Sequence, residues 1–222
     1  SIDGIDDKTV NFSDGEKKEF DAVLIAVGRA PLTENIGLDN VNIASENGFI
    51  NVDLDTFETS VANIFALGDI VNNTPQLAHA AFAEAISAIT YIASGEKKPL
   101  DYKAIPYVVY TRPELAEIGL NAEKAKLENI EIEQSQHSFA GVGRAMITEQ
   151  NQGLVKVYAE KEGPIVGASV CGPSAGEMIH ELMYMVGWEA LPEEAAEFIH
   201  DHPTLSEAVG ESLLGLTGKG LH

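Results

Sequence analysis

Only one cysteine, Cys171, occurs in the 222 residues, so the chain holds no intrachain disulfide, no CxxC pair and no thiol-rich zinc site. Its setting, ASVCGPSAG, follows an apolar run and predicts a buried structural thiol. Cations are scarce as well. Lys and Arg total 14 against 35 Asp and Glu, a net charge of −21. Nucleic acid and anionic membrane surfaces are gripped by clustered Lys and Arg, so this charge argues against both as partners. No apolar run approaches the roughly 20 residues that a membrane span needs, and the N-terminus lacks the charged-then-apolar pattern of a secretory signal. The expected location is cytoplasmic. The chain starts at Ser1, without Met, in what reads as mid-fold sequence, and a fragment is expected.

What is present reads as globular, with 45% hydrophobic and 22% charged residues. VNFSDGEKKEF predicts a strand, an Asp14-Gly15 hairpin turn and a return strand. The continuous apolar run Val23 to Val27, ending at Gly28-Arg29, suits a strand buried on both faces of a parallel sheet. Alternation around Phe49–Val52 and a short apolar strand from Ile64 to Leu67 follow. The latter runs into Gly68-Asp69 and so places a carboxylate at a strand's carboxyl end, where α/β folds bind ligands. TPQLAHAAFAEAISAITYIASG predicts a helix. Thr74-Pro75 stands at its start, Phe82, Ile86, Ile89 and Ala93 recur at helical spacing, and Gly95 closes it. The free N–H groups near Leu77, Ala78 and His79 would form an electropositive cup.

Around Pro99–Tyr102 the texture changes. Short strands (IPYVVYT, LAEIG, IEIEQSQHSF, GLVKVYA, IVGASVCG) interleave with helices (NAEKAKLE, AGEMIHELMYMV, PEEAAEFI, TLSEAVGESLL), which indicates an α+β domain on an antiparallel sheet. Three patterns fail as motifs. HELMY at 180 lacks the second histidine of a zinc-protease HExxH because Tyr184 stands there. GVGRAM at 141 ends in Met146 where GxGxxG needs glycine, and no helix start is expected after it. GLTGKG lacks P-loop spacing. HDHPTLSE, residues 200–207, offers more. Pro203 keeps His202 extended and outside the coming helix, and Thr204 with Glu207 has capping-box spacing. Read chemically, Glu207 would orient the His202 ring and favour its imidazolium, leaving the other nitrogen to move a proton. A metal pair of His200 and His202 lacks a third ligand, so no metal site is expected.

The segments DAVLIAVGRAP, TSVANIFALGD, PQLAHAA-AEA, PYVVYTRPELAEIGL, VCGPSAGEMIHE and HPTLSE, in this order, resemble the pyridine nucleotide-disulfide oxidoreductase family over essentially the whole chain, and HPTLSE leans toward its lipoamide enzymes. The resemblance implies the C-terminal half of such an enzyme. Residues 1–31 would end an NAD-binding domain, 32–99 would complete an FAD-binding domain, and 100–222 would form the dimerisation domain. The implied fold class is an α+β dimerisation domain, an antiparallel sheet with helices, preceded by α/β-type segments completing the NAD and FAD domains. Implied cofactors are FAD and NAD, with both sites incomplete in this chain. Asp69 would meet the FAD ribityl or pyrophosphate region, Gln76, Leu77, Ala78 and His79 the isoalloxazine, and Gly28 the nicotinamide dinucleotide. His202 would be the catalytic acid and base, oriented by Glu207, acting across a homodimer interface to which the helices of 175–199 contribute. The implied partner is the lipoyl domain of a 2-oxoacid dehydrogenase or glycine cleavage complex. The chain departs from the family in lacking the FAD fingerprint GxGxxG, the redox CxxxxC pair and most of the NAD fingerprint. Members also often carry a lysine after the position of His79 and acidic residues where Ala81 and Phe82 stand. The fragment alone is therefore expected to be inactive. A sister reductase of glutathione, mycothione or mercuric type and a stand-alone, non-catalytic dimerisation module are the alternatives.

Overall fold

Asp14 and Gly15 make the first turn as their sequence predicts. Gly15 adopts φ +89°, the Asp14 carboxylate accepts the Glu16 N–H, and Phe12 N–H closes onto the Glu16 carbonyl at 2.8 Å. The turn joins β2 (Thr9–Phe12) to β3 (Lys17–Glu19), and β1 (Ile2–Asp6) completes a three-stranded antiparallel sheet in the order β1-β2-β3. The computed structural model describes residues 1–220 and divides into two units, Ser1–Ala88 and the residues from Ile89 on. Leu221 and His222, the end of the expected 100–222 domain, lie outside the described residues.

In the first unit the run Val23–Val27 is not the expected buried strand. It pairs with no strand among the described residues, and Leu24 and Val27 are 90% and 93% exposed. A strand buried on both faces needs paired edges and covering layers, and this unit offers neither to residues 23–27. The unit's small core is built instead from Ile43, Ile50, Ala66 and Val71. Around it lie the two-residue strands β4 (Ser45–Glu46) and β5 (Phe49–Ile50), and a parallel bridge pairs Ile50 with Val71. Ile64–Leu67 forms no named strand, and its Phe65 takes part in an isolated bridge with Glu58 before the chain enters a 3-10 turn, Gly68–Ile70.

Helix α1 (Ala78–Ser94) begins three residues beyond Pro75, and Gly95, at φ +75°, ends it as expected. Its buried positions are Ala80, Glu84, Ser87 and Ala88, whereas Phe82, Ile86 and Ile89 are exposed. The small side chains allow the close approach, and the Glu84 carboxylate on that face accepts the Gly68 N–H at 2.6 Å.

The second unit follows its sequence closely. Strands β6 (Tyr107–Val109), β7 (Glu114–Gly119), β8 (Ile132–Ser138), β9 (Leu154–Glu160) and β10 (Ile165–Gly172) form one antiparallel sheet in the order β6-β7-β10-β9-β8. Register pairs Val170 with Ala116 and Val155, and Ala168 with Ile118 and Val157, so these buried side chains share one face. Helices α4 (Ala175–Gly187), against β7 and β10, and α6 (Glu207–Leu216), against β8 and β9, cover that face. The short helices α2 (Ala122–Glu128), capped by the Asn121 side chain, α3 (Gly143–Ile147) and α5 (Pro192–Ala195) fill the connections. Helix α3 lies almost wholly within GVGRAM, and no helix starts directly after the motif. Cys171 lies on the sheet's other face, paired with Leu115 and Leu154, and is half-buried, not fully buried as its sequence setting predicts.

Candidate functional site

In the second unit the chain leaves α5, passes His200, Asp201 and His202, and enters α6 at Glu207, its first helical residue. The His202-Pro203 bond is cis. His202 and Glu207 meet as the sequence predicts: His202 Nδ1 lies 2.8 Å from Glu207 Oε1. The second carboxylate oxygen accepts the Thr204 N–H at 2.9 Å. Capping differs from the expectation. Thr204 Oγ1 donates to the Asp201 carbonyl, and Ser206 is the N-cap, without a side-chain cap bond. Glu207 therefore keeps its half of a capping box while Thr204 does not, because the Thr204 hydroxyl turns back to close the loop that presents His202.

The consequence for chemistry is a fixed imidazole. A carboxylate on Nδ1 selects the tautomer with hydrogen there and leaves Nε2 as a proton acceptor. Nε2 has no partner among the described residues, and the side chain is 75% exposed. Burial alone would raise the Glu207 carboxyl. The hydrogen bonds from His202 and the Thr204 N–H, with the charges of His202 and His200, outweigh burial and hold it below its ordinary range. Glu207 is thus an anion at neutral pH, able to stabilise an imidazolium.

A second pair, which sequence reasoning missed, stands two residues earlier. His200 Nε2 lies 2.6 Å from Glu181 Oε1 on α4, and the ring is only 14% exposed. The hydrogen bond to Glu181 raises the His200 pKa above its ordinary value, burial opposes it, and the charges of Glu181 and Glu207 add to the rise. Glu181 belongs to HELMY, and its distance of nineteen residues from His200 leaves no local spacing to reveal the contact. No group of three or more His, Cys, Asp or Glu side chains among the described residues is placed to hold a metal ion.

The first unit holds the other predicted residues. Gly68, at φ +77°, turns the chain so that Asp69 enters the 3-10 turn with its side chain 44% exposed. The Gln76 amide nitrogen donates to the Asp69 carbonyl at 3.2 Å. Arg29, beside Gly28 in the chain, bridges both residues: Nη1 lies 3.1 Å from Asp69 Oδ2, and Nη2 donates to the Gln76 carbonyl. Leu77 is half-buried, and Ala78 and His79 are exposed at the start of α1. Asp69, Gln76 and the start of α1 are therefore brought together by an arginine that the sequence did not single out. Gly28 sits in the exposed segment at φ +147°, where a side chain is rarely accommodated. A carboxylate that accepts hydrogen bonds from hydroxyls, beside a guanidinium that favours phosphate, is suited to a group carrying both.

Two family models match the chain. Residues 1–85 match the pyridine nucleotide-disulphide oxidoreductase model, and residues 105–213 match that family's dimerisation domain. Dihydrolipoyl dehydrogenase of Haloferax volcanii is 39% identical over 218 residues, covering 96% of this chain and 46% of that protein. The Bacillus subtilis dihydrolipoyl dehydrogenase is 36% identical, covering 94% of this chain and 44% of its own length. Among solved structures, LpdA from Mycobacterium tuberculosis superposes with a TM-score of 0.83 at 26% identity, over 94% of this chain and 45% of LpdA. The Cu(II) complex of the HOCl-induced flavoprotein disulfide reductase RclA from Escherichia coli gives a TM-score of 0.85 at 25% identity, over 96% and 49%. The chain spans about half the length of the curated relatives it matches.

Proposed function

Because the chain belongs to the pyridine nucleotide-disulphide oxidoreductase family, we propose that it is the C-terminal half of a dihydrolipoamide dehydrogenase, which oxidises protein-bound dihydrolipoamide with NAD⁺. The observation that carries this reading is the His202–Glu207 pair at 2.8 Å, with Nε2 free among the described residues. In the proposed reaction His202 Nε2 takes the proton of a substrate thiol, and Glu207 stabilises the imidazolium that results. The thiolate then attacks a disulfide, forming one S–S bond as another breaks, and His202 returns the proton to the departing sulfur. Cys171 is the chain's only cysteine, so the attacked disulfide belongs to residues outside it and these 222 residues alone are inactive.

The family's cofactors are FAD and NAD. FAD, when bound, supplies the two-electron acceptor between the dithiol and NAD⁺. The residues present fit a ribityl–pyrophosphate group: Asp69 would accept hydrogen bonds from its hydroxyls, Arg29 lies beside Asp69, and the 76–79 backbone would meet the ring. Gly28 is proposed to contact the nicotinamide dinucleotide. The proposed domains are the NAD end at 1–31, the FAD segment at 32–99 and the interface at 100–222. The proposed assembly is a homodimer through 100–222, supported by Tyr184, Trp188, Phe198 and Ile199, which are exposed on or after α4. The proposed macromolecular substrate is a lipoyl domain. The proposed location is the cytoplasm, with which a single unpaired cysteine is consistent; the Caenorhabditis elegans relative is, by its name, mitochondrial. Among the described residues no helix is long and apolar enough to cross a membrane.

The test is a substrate panel on the full-length protein. NADH formation from NAD⁺ with dihydrolipoamide, far exceeding reduction of glutathione disulfide, mycothione or Hg(II) by NADPH, supports the proposal. Preference for one of those substrates assigns a sister reductase. No turnover of any, with dimerisation intact, leaves a non-catalytic module.

A further inference from the structure

His200 lies in the same loop as His202 and pairs with Glu181 of α4; its only link to the groups placed in the reaction above, among the described residues, is the effect of its charge on Glu207. Its geometry is unusually constrained for a loop side chain. On one edge of the ring, Nε2 holds the Glu181 carboxylate of α4 at 2.6 Å. On the other edge lies Gly210 of α6, so close that a Cβ there would stand 2.6 Å from Nδ1 and 3.0 Å from Cε1. The ring is thus wedged between the two helices that cover the sheet, and it is 14% exposed. The loop it starts is closed at the far end by Thr204, whose N–H goes to Glu207 and whose hydroxyl goes to the Asp201 carbonyl. His202 stands between these two anchorages, and among the described residues its side chain is hydrogen-bonded to the Glu207 carboxylate alone.

We propose that His200 and Glu181 are positioning residues for His202. By pinning the start of the 200–206 loop to α4 and against Gly210, they hold the His202 imidazole where Nε2 meets the substrate thiol. The inference rests on the proposed role of His202. An ordinary structural ion pair would contribute to stability and leave turnover alone. Here the pinned residue is two positions from the reacting ring, and displacing a catalytic group by about 1 Å is enough to cost roughly 10²-fold in rate.

The experiment uses the full-length flavoprotein with dihydrolipoamide and NAD⁺. His200→Ala and Glu181→Ala are each expected to lower kcat by roughly ten- to a hundredfold, with KM for NAD⁺, flavin content and dimer mass unchanged. Glu181→Gln keeps an amide oxygen that accepts the ring N–H and should recover most of the loss. The double variant should be no worse than either alanine variant, because each breaks the same contact. Full activity of both alanine variants, or equal losses for Glu181→Gln and Glu181→Ala, would overturn the inference. His202→Ala is run beside them. If it retains turnover, or if wild type does not oxidise dihydrolipoamide, the proposed function fails. If His202→Ala is inactive and the His200 and Glu181 variants are fully active, only the positioning role fails.

Discussion

Gly210→Ala is the substitution for which two effects of known size compete most openly. Gly210 lies inside α6, where alanine is favoured over glycine by about 1 kcal/mol. Helix propensity alone therefore predicts a stabilised protein. The new Cβ would stand 2.6 Å from His200 Nδ1, which the ring escapes only by swinging away. Its other edge is held by Glu181 at 2.6 Å, so the swing forfeits a hydrogen bond to a charged group worth about 1.5–3 kcal/mol net. Subtracting the propensity gain leaves a destabilisation of roughly 0.5–2 kcal/mol. The sign should reverse once the ring is gone. In a His200→Ala background, Gly210→Ala meets no imidazole and should stabilise by up to about 1 kcal/mol. Urea denaturation followed by circular dichroism measures all four proteins. Stabilisation by Gly210→Ala in both backgrounds would refute the wedge, because it would mean that the ring is free to move.

Three further predictions concern titration and packing. His200, whose folded pKa is raised, contributes stability that is fully present below its unfolded value of 6.5 and is lost as pH rises through the folded value; the stability gap between wild type and Glu181→Ala should therefore narrow with rising pH in that window. Glu207 behaves oppositely, contributing above 4.5 and losing that contribution as pH falls through its lowered folded value, which pH-dependent denaturation of Glu207→Gln would show. Gly167→Ala would place a Cβ 1.8 Å from the Leu120 carbonyl oxygen, a backbone atom with no rotamer to yield, so a loss at or beyond the upper end of the roughly 1–3 kcal/mol typical of overpacking is expected in the same denaturation assay.

Local pattern carried as far as local physics decided the outcome. The Asp14-Gly15 hairpin formed because its turn chemistry is contained in a few residues. The five strands of the second unit formed because alternating residues find a helix-covered face within the same chain. Val23–Val27 failed because an apolar run states a preference for burial without supplying the neighbours that bury it. The same gap explains α1, whose helical spacing was legible while its buried face, Ala80, Glu84, Ser87 and Ala88, was not. At the candidate site, His202 and Glu207 lie five residues apart, at the end of a loop and the start of α6, and were readable together. The Glu181–His200 and Arg29–Asp69 contacts join residues far apart in sequence, and no spacing rule reaches across such a distance. Thr204 shows the opposite failure: its spacing was right for a cap, but its hydroxyl bonds the Asp201 carbonyl instead.

The central claim is that His202 moves the proton that makes the substrate thiol reactive. Its most direct test is His202→Ala in the full-length protein, assayed for NAD⁺ reduction by dihydrolipoamide with flavin content measured on the same sample. The account predicts turnover lowered by about 10²–10⁴-fold with FAD still bound. Turnover near the wild-type rate would contradict it.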